Sequence, residues 1–520
     1  MMPTTCRTYC RLSIALLACA SWLAAVPGVA FSATTSPGKP GASSVSALAE
    51  QIDAQISQSR FAGGSWGISV VSLDSGRTLY AHHADQLMQP ASTAKLFTAA
   101  LSLSTLGTDY HLSTRLLAKS DPMDGRLDGP LVLYGTGDPT LGTDSSAGWA
   151  DQLANQLAQR GVRQIHGDLI ADDSYFTGPS FGSGWEADDL QSWFAVPSSA
   201  LSVDENIVDI TVTPAPAAGM PASLSFDPAN VQMPLQGQVL TTLSRTPSDI
   251  NLYRAPGDRV LSAFGTVAAN TPPQHFKLAL PDPALVAATQ LEQALANRKI
   301  RVTGQVRVLH WPQDDAALLA DARTLAEVQS PPLMDILQRG LKRSQNLYLQ
   351  NIFLSVGKRQ QALEATSGGM TAFASTEQWA VKALHQLLTQ VGIAASASLI
   401  DEGTGLSRRD LVTPNAMVRL LTFLAAQPYA EQVHDALPIA GVDGTLTGHF
   451  RHTAAENNVH AKTGSMTYVH CLAGYVTSAA GERLAFAIML NNYDPPPEGP
   501  SAGSDVNAVA LLLANYRARD

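Results

Sequence analysis

Between about residues 110 and 325 this chain differs in texture from what lies on either side of it. Short β-prone runs, GPLVLYGTG, QIHGDLIADDSYF, IVDITVTPA and IRVTGQVRVL, are separated there by Gly, Pro, Asn and Asp, the punctuation of strands and turns. Two helical patterns interrupt them, near 147–160 and 284–297, and from about 213 to 280 strands and turns run without a long helix. On both flanks apolar residues recur at helical spacing. Such a chain must leave one core, build another and return. The expectation is a host of residues 45–110 and 326–520 carrying a β-rich insertion. At 520 residues the chain exceeds what one core organises, so two or three domains follow.

Within the host, SALAEQIDAQISQS reads as a helix and WGISVVSLDSGRTLYAHH as two strands joined at DSG. Pro90 suits a helix start, and Leu96, Phe97, Ala99, Ala100 and Leu103 give that helix a buried face. Ser92 then falls in its first turn. PLMDILQRGLKRSQNLYLQNIFLSVGK, STEQWAVKALHQLLTQVG and TPNAMVRLLTFLAAQ are helical, the last opened by Thr413 and Pro414. YVHCLAGYVTSAAGERLAFAIMLNN reads as a hairpin turning at SAAGE, and DVNAVALLLANYRA as a closing amphipathic helix. The host is therefore α/β (α+β), an antiparallel sheet with helices on both faces.

Residues 1–32 are expected to lie outside the fold. Arg7 and Arg11 precede the apolar run LSIALLACASWLAAVPGVAF, the order of a secretory signal peptide with cleavage near Ala30 to Ala33. Pro27 and Gly28 interrupt that run, which disfavours a lasting membrane span. LLAC at 16–19 leaves lipid attachment at Cys19 open. A Pro/Gly/Ser linker at 33–44 follows. Three of the four cysteines lie in the leader, so Cys471 has no internal partner and reads as core. A net charge of −10 with no basic stripe excludes nucleic acid as a partner, and 45% apolar residues exclude large-scale disorder.

Three short patterns carry chemistry. Ser92 and Lys95 are three apart, on one face of a helix, so an amine comes within reach of a hydroxyl. SPGK at 36–39 repeats the spacing in a linker; only Ser92 opens a helix, where free backbone N–H groups can hold a developing oxyanion. Ser344, in the Ser344-Gln345-Asn346 tripeptide, can donate and accept and so relay a proton, and Asn346 can hold both lysine and a substrate carbonyl. Lys462 and Thr463 offer a cation and a hydroxyl to a carboxylate. Gly464 would let a substrate backbone lie alongside as an added strand, and the Ser465 N–H would share the oxyanion with that of Ser92. HFRH at 449–452 has no HExxH and no third ligand, so no metal or cofactor is expected.

Ser-x-x-Lys, Ser-x-Asn and Lys-Thr-Gly in this order resemble the set found in penicillin-binding proteins and serine β-lactamases. The 252 residues from Ser92 to Ser344, with YGTGDPTL, GDLIADDSYF, GSGW and EGTGLSRRD, resemble one family in particular. It is the D-alanyl-D-alanine carboxypeptidase/endopeptidase family, the class C low-molecular-mass penicillin-binding proteins, and the likeness runs from about residue 45 to the end. The resemblance implies a serine β-lactamase/transpeptidase-like domain (45–110 and 326–520), an inserted domain II (111–212 and 281–325) and a nested β-rich domain III (213–280). It also implies export to the periplasm, peptidoglycan peptides as substrates and β-lactam antibiotics as covalent inhibitors. Ser92 would be the acylated nucleophile, Lys95 its neutral base, Ser344 the relay, Asn346 a positioning group, and Lys462 with Thr463 the carboxylate site. Arg408, Asp172, Asp173 and Phe176 resemble the part that touches the peptide's diamino-acid end. Glu402 stands where an Asp is more usual before Gly-x-Gly-Leu-Ser-Arg. Two rival readings are a β-lactamase-type hydrolase and a wall-binding scaffold without turnover.

Overall fold

The computed structural model describes residues 43–519, apart from 145–147, 232, 314, 367–372, 495–498 and 500. The leader, the possible lipid site at Cys19 and nearly all of the linker lie outside the described residues. Five antiparallel strands from the two ends of the chain make the central sheet of the host, in the order Thr78–His82, Ser65–Ser72, Arg483–Asn491, Val469–Thr477, His460–Met466. Successive side chains of a strand point to opposite faces, and both faces here are apolar. Cys471, Ala473, Tyr475, Ala485, Ala487 and Met489 meet one helical layer. Leu472, Val476, Leu484, Phe486, Ile488 and Leu490 meet the other. That is why the hairpin reads as a nearly unbroken apolar run. Cys471 is a buried free thiol, as its surroundings suggested.

The first layer holds the helices Lys95–Leu106, Leu333–Arg343, Asn346–Thr366, Thr376–Val391 and Pro414–Ala425. Thr413 caps the last of these, its Oγ1 accepting from the Ala416 amide at 3.1 Å, with Pro414 in the first helical turn. The second layer holds Val45–Gln58 and Ala502–Ala514.

Two local departures from expectation matter for the site. Ser92 lies in a 3-10 turn, Ala91–Ala94, that feeds the α-helix from Lys95 onward. The pattern around Ser344 is not one helix but two: Ser344 adopts φ 57°, ψ 34° and breaks the run. A left-handed serine has no sequence signature, because its neighbours alone would continue the helix.

The two helical patterns expected between residues 110 and 325 are present, as Trp149–Gln159 and Pro283–Asn297; the parallel pairing of some strands there was not expected. One sheet runs Val306–Leu309, Leu169–Asp172, Leu131–Gly135, Ser113–Ala118, Arg323–Gln329. The first three strands are parallel to one another and the last two pair antiparallel. Parallel neighbours need crossovers, and the helices Trp149–Gln159 and Pro283–Asn297 precede Leu169–Asp172 and Val306–Leu309 and pack in the same core. The two helical interruptions are thus crossovers of an α/β layer. Between residues 207 and 279 the described elements are strands and turns, as expected. Ile207–Thr213 pairs with Ser223–Asp227 and Gln274–Ala279, and a small sheet is built around Leu261–Ala268.

Candidate active site

A 3-10 turn has three residues per repeat, so side chains at i and i+3 eclipse. Ser92 and Lys95 are therefore stacked, with Lys95 Nζ 2.8 Å from Ser92 Oγ. Nζ also donates to Asn346 Oδ1 at 2.6 Å and to the Thr404 carbonyl at 2.8 Å. An amide oxygen and a carbonyl oxygen can only accept. A neutral amine has two N–H bonds and one lone pair, and these two acceptors use both N–H bonds. The lone pair then faces the Ser92 hydroxyl. Lys95 is fully buried, and burial pulls its pKa down to about 7 against the opposing fields of Glu402 and Asp410.

The Thr404 carbonyl is placed by Glu402. Its buried carboxylate accepts from the amides of Thr404 at 2.8 Å and Gly405 at 2.6 Å, so the longer acid fills the turn that contacts Lys95. Gly405 has φ 79°, and a Cβ there would lie 1.9 Å from the Ala91 carbonyl oxygen. Only a glycine lets this turn approach the Ser92 segment.

Ser344 Oγ is 2.8 Å from Lys462 Nζ, which also donates to the Thr463 carbonyl at 2.8 Å. Lys462 is fully buried, and burial followed by repulsion from Lys95 lowers its pKa well below the usual range. It does not reach the cavity surface; Thr463 does, with its Oγ1 2.7 Å from that of Thr445. Asn346 Nδ2 donates to the Phe194 carbonyl at 2.7 Å.

Gly464 lies against the turn that carries Ser92. A Cβ on it would sit 2.6 Å from the Pro90 oxygen and 3.2 Å from the Ser92 nitrogen, so it lets the edge strand pack against the nucleophile turn. In that strand the Ala461 amide donates outward, to the Pro438 carbonyl. Residues two and four further on share its direction, so the Thr463 and Ser465 amides also point off the sheet edge.

Ser92, Ser344, Asn346, Thr463, Ser465 and Arg408 line one cavity of about 440 Å³. Arg408 pairs with Glu186 at 3.3 Å and donates to the Thr467 carbonyl at 3.0 Å. Asp172, Asp173 and Phe176 are not brought there. Asp173 and Phe176 line a second cavity with His310 and Glu377, and Asp173 accepts from His310 at 2.8 Å. Asp172 is buried in its strand, accepting from the Ser174 amide. The insertion instead presents Glu186, Asp189, Trp193 and Phe194 to the Ser92 cavity. Sequence reasoning missed these and Thr445; the acidic-aromatic run WEADDLQSWF after GSGW was the available signal.

Among the described residues, His434, Asp435 and His460 form a cluster of metal-ligating type. The two imidazoles stack with centroids 3.7 Å apart and planes 21° apart. An ion in the plane of one ring would lie well out of the plane of the other, so the arrangement is that of a packed pair.

Comparison with known proteins shows the family to which this chain is similar. A model of the D-Ala-D-Ala carboxypeptidase 3 (S13) family matches residues 48–515. A D-alanyl-D-alanine carboxypeptidase of an Actinomadura species is 32% identical over 480 residues, 90% of this chain and 85% of the relative. D-alanyl-D-alanine carboxypeptidase DacB of Haemophilus influenzae is 29% identical over 434 residues, 83% of this chain and 86% of the relative. The crystal structure of penicillin binding protein 4 from Haemophilus influenzae matches with a TM-score of 0.76 at 26% identity, over 90% of this chain and 98% of that one. The same protein complexed with a β-lactam matches with a TM-score of 0.70 at 25% identity, over the same shares.

Proposed function

The chain belongs to the D-Ala-D-Ala carboxypeptidase 3 (S13) family, and on that premise we propose that it is a penicillin-sensitive serine DD-peptidase of peptidoglycan stem peptides. The observation that carries the reading is the environment of Lys95 Nζ: two pure acceptors and one hydroxyl, in a fully buried site. Ser92 Oγ attacks the carbonyl of a D-alanyl peptide bond while its proton passes to Lys95. Negative charge on the carbonyl oxygen is met by the Ser92 and Ser465 amides. As the C–N bond breaks, the leaving amine takes the proton of the Ser344 hydroxyl, which is bridged to Lys462, and Ser344 recovers a proton from Lys95, leaving that amine neutral again. Water then attacks the ester on Ser92, its proton passing to Lys95, and Lys95 returns a proton to Ser92 Oγ as the acyl C–O bond breaks, which frees the acid product and the enzyme.

The substrate's terminal carboxylate is taken by Thr463 and Thr445, and its negative charge favours the ammonium form of the buried Lys462 behind them. The wall formed by Asp189, Arg408, Trp193 and Phe194 suits a side chain that bears both an ammonium and a carboxylate. This replaces Asp172, Asp173 and Phe176 as the diamino-acid contact. The division into domains at 110, 212, 280 and 325 is retained as part of the proposal. So is export to the periplasm, supported by the leader's residue order; among the described residues, no helix is long and apolar enough to cross a membrane.

The test is incubation of the protein with a labelled penicillin followed by peptide mapping. A stable adduct on Ser92 that disappears in S92A supports the reading. Label retained at wild-type level in S92A would refute the nucleophile. Fast release of hydrolysed drug would favour a β-lactamase.

A further inference from the structure

We propose that Glu205, contributed by the inserted segment, is a positioning residue that locks the Ser344 turn for proton transfer. The inference rests on the assignment of Ser344 as the relay. Ser344 is a non-glycine residue in the left-handed region, set between two helices, a conformation that persists where surrounding contacts over-determine it. Glu205 supplies those contacts. Its carboxylate accepts from Arg343 Nη1 at 2.7 Å and Nη2 at 3.0 Å, a two-pronged pair. It also accepts from Gln345 Nε2 at 3.2 Å and Tyr348 Oη at 2.9 Å. One acid thus holds the residues immediately before and after Ser344 and the first turn of the next helix.

Glu205 is itself held firmly. Asp204, Glu205 and Asn206 have φ of 51°, 55° and 55°, three consecutive non-glycine residues in the left-handed region. Asn206 braces them: it accepts from the Val203 amide at 2.9 Å and donates to the Pro197 carbonyl at 2.8 Å. Asp204 accepts from Gln290 of the Pro283–Asn297 helix at 2.7 Å. Strain of this kind is retained where it serves a purpose, and the feature it delivers here is the Glu205 carboxylate. Because Arg343 lines the Ser92 cavity, releasing it would also free a cation beside the substrate.

The second-order rate of Ser92 acylation by a fluorescent penicillin tests this in E205A, E205Q, S344A and the E205A/S344A double variant, with thermal midpoints measured alongside. E205A should acylate roughly 10- to 100-fold more slowly, the scale of a small displacement of catalytic groups. E205Q should recover part of the rate, since its amide oxygen still accepts from Tyr348. In the S344A background the E205A penalty should vanish, because the two act through one step. Wild-type acylation by E205A, or an equal penalty with and without Ser344, would overturn the inference. Should E205A fail to fold, E205Q carries the same cycle. Wild-type acylation by S344A would remove the relay assignment itself and this inference with it, whereas a negative result with Glu205 alone leaves the relay standing.

Discussion

A hydroxyl, an amide oxygen and a main-chain carbonyl surround Lys95 Nζ, and that trio distinguishes a base from a structural cation. Arg cannot lose a proton in a protein and presents a fork in place of a lone pair. Lys95→Arg should therefore reduce acylation by about 10²- to 10⁴-fold, the usual share of general-base catalysis, as read by penicillin labelling of folded protein. At this scale much was legible beforehand. Ser92, Lys95, Ser344, Asn346, Thr463 and Ser465 converge as expected, because each belongs to a short pattern in a predictable element. Lys462 also joins them, from behind the surface. Asp172, Asp173 and Phe176 were misplaced: an acid and an aromatic near a strand end look alike whichever cavity that strand borders.

Elements set the spacing of these groups. The 3-10 turn at Ala91–Ala94 eclipses Ser92 and Lys95, and Gly464 lets the edge strand close on that turn. Gly464→Ala should push the strand off the Ser92 amide. Its Cβ meets backbone atoms that cannot swing aside, so we expect a cost of about 1–3 kcal/mol from overpacking and at least a tenfold loss of acylation, measured by denaturation and labelling in parallel. The helices, the hairpin and the Thr413 cap could be read from periodicity and capping residues. The break at Ser344 and the turn at Ala91 could not. Neither contains glycine at the residue with positive φ, and both are held by contacts from distant parts of the chain.

At the scale of the whole molecule, the segment between residues 110 and 325 both furnishes a wall of the cavity and grips the Ser344 turn. Its strands and turns could be read from its texture; that some of those strands run parallel could not, because crossover helices and strands do not declare their partners locally. Asp189 and Arg408 are more than 200 residues apart in sequence, yet both line the Ser92 cavity. Asp189→Asn should lower kcat/KM at least about tenfold toward a D-alanyl peptide carrying a zwitterionic diamino side chain, the scale of one charge-assisted contact. The loss should be smaller toward a peptide with a plain alkyl side chain there. Equal losses on both peptides would remove Asp189 from substrate recognition. The central claim, that distant segments build a pocket in which an uncharged amine accepts the Ser92 proton, is tested most directly by the pH dependence of acylation. Lys95 titrates at about 7, so it is protonated and inert below that pH, and the acylation rate should rise through a single ionisation near pH 7 to a plateau. A rate that keeps rising toward the ordinary lysine value of about 10.4 would contradict it.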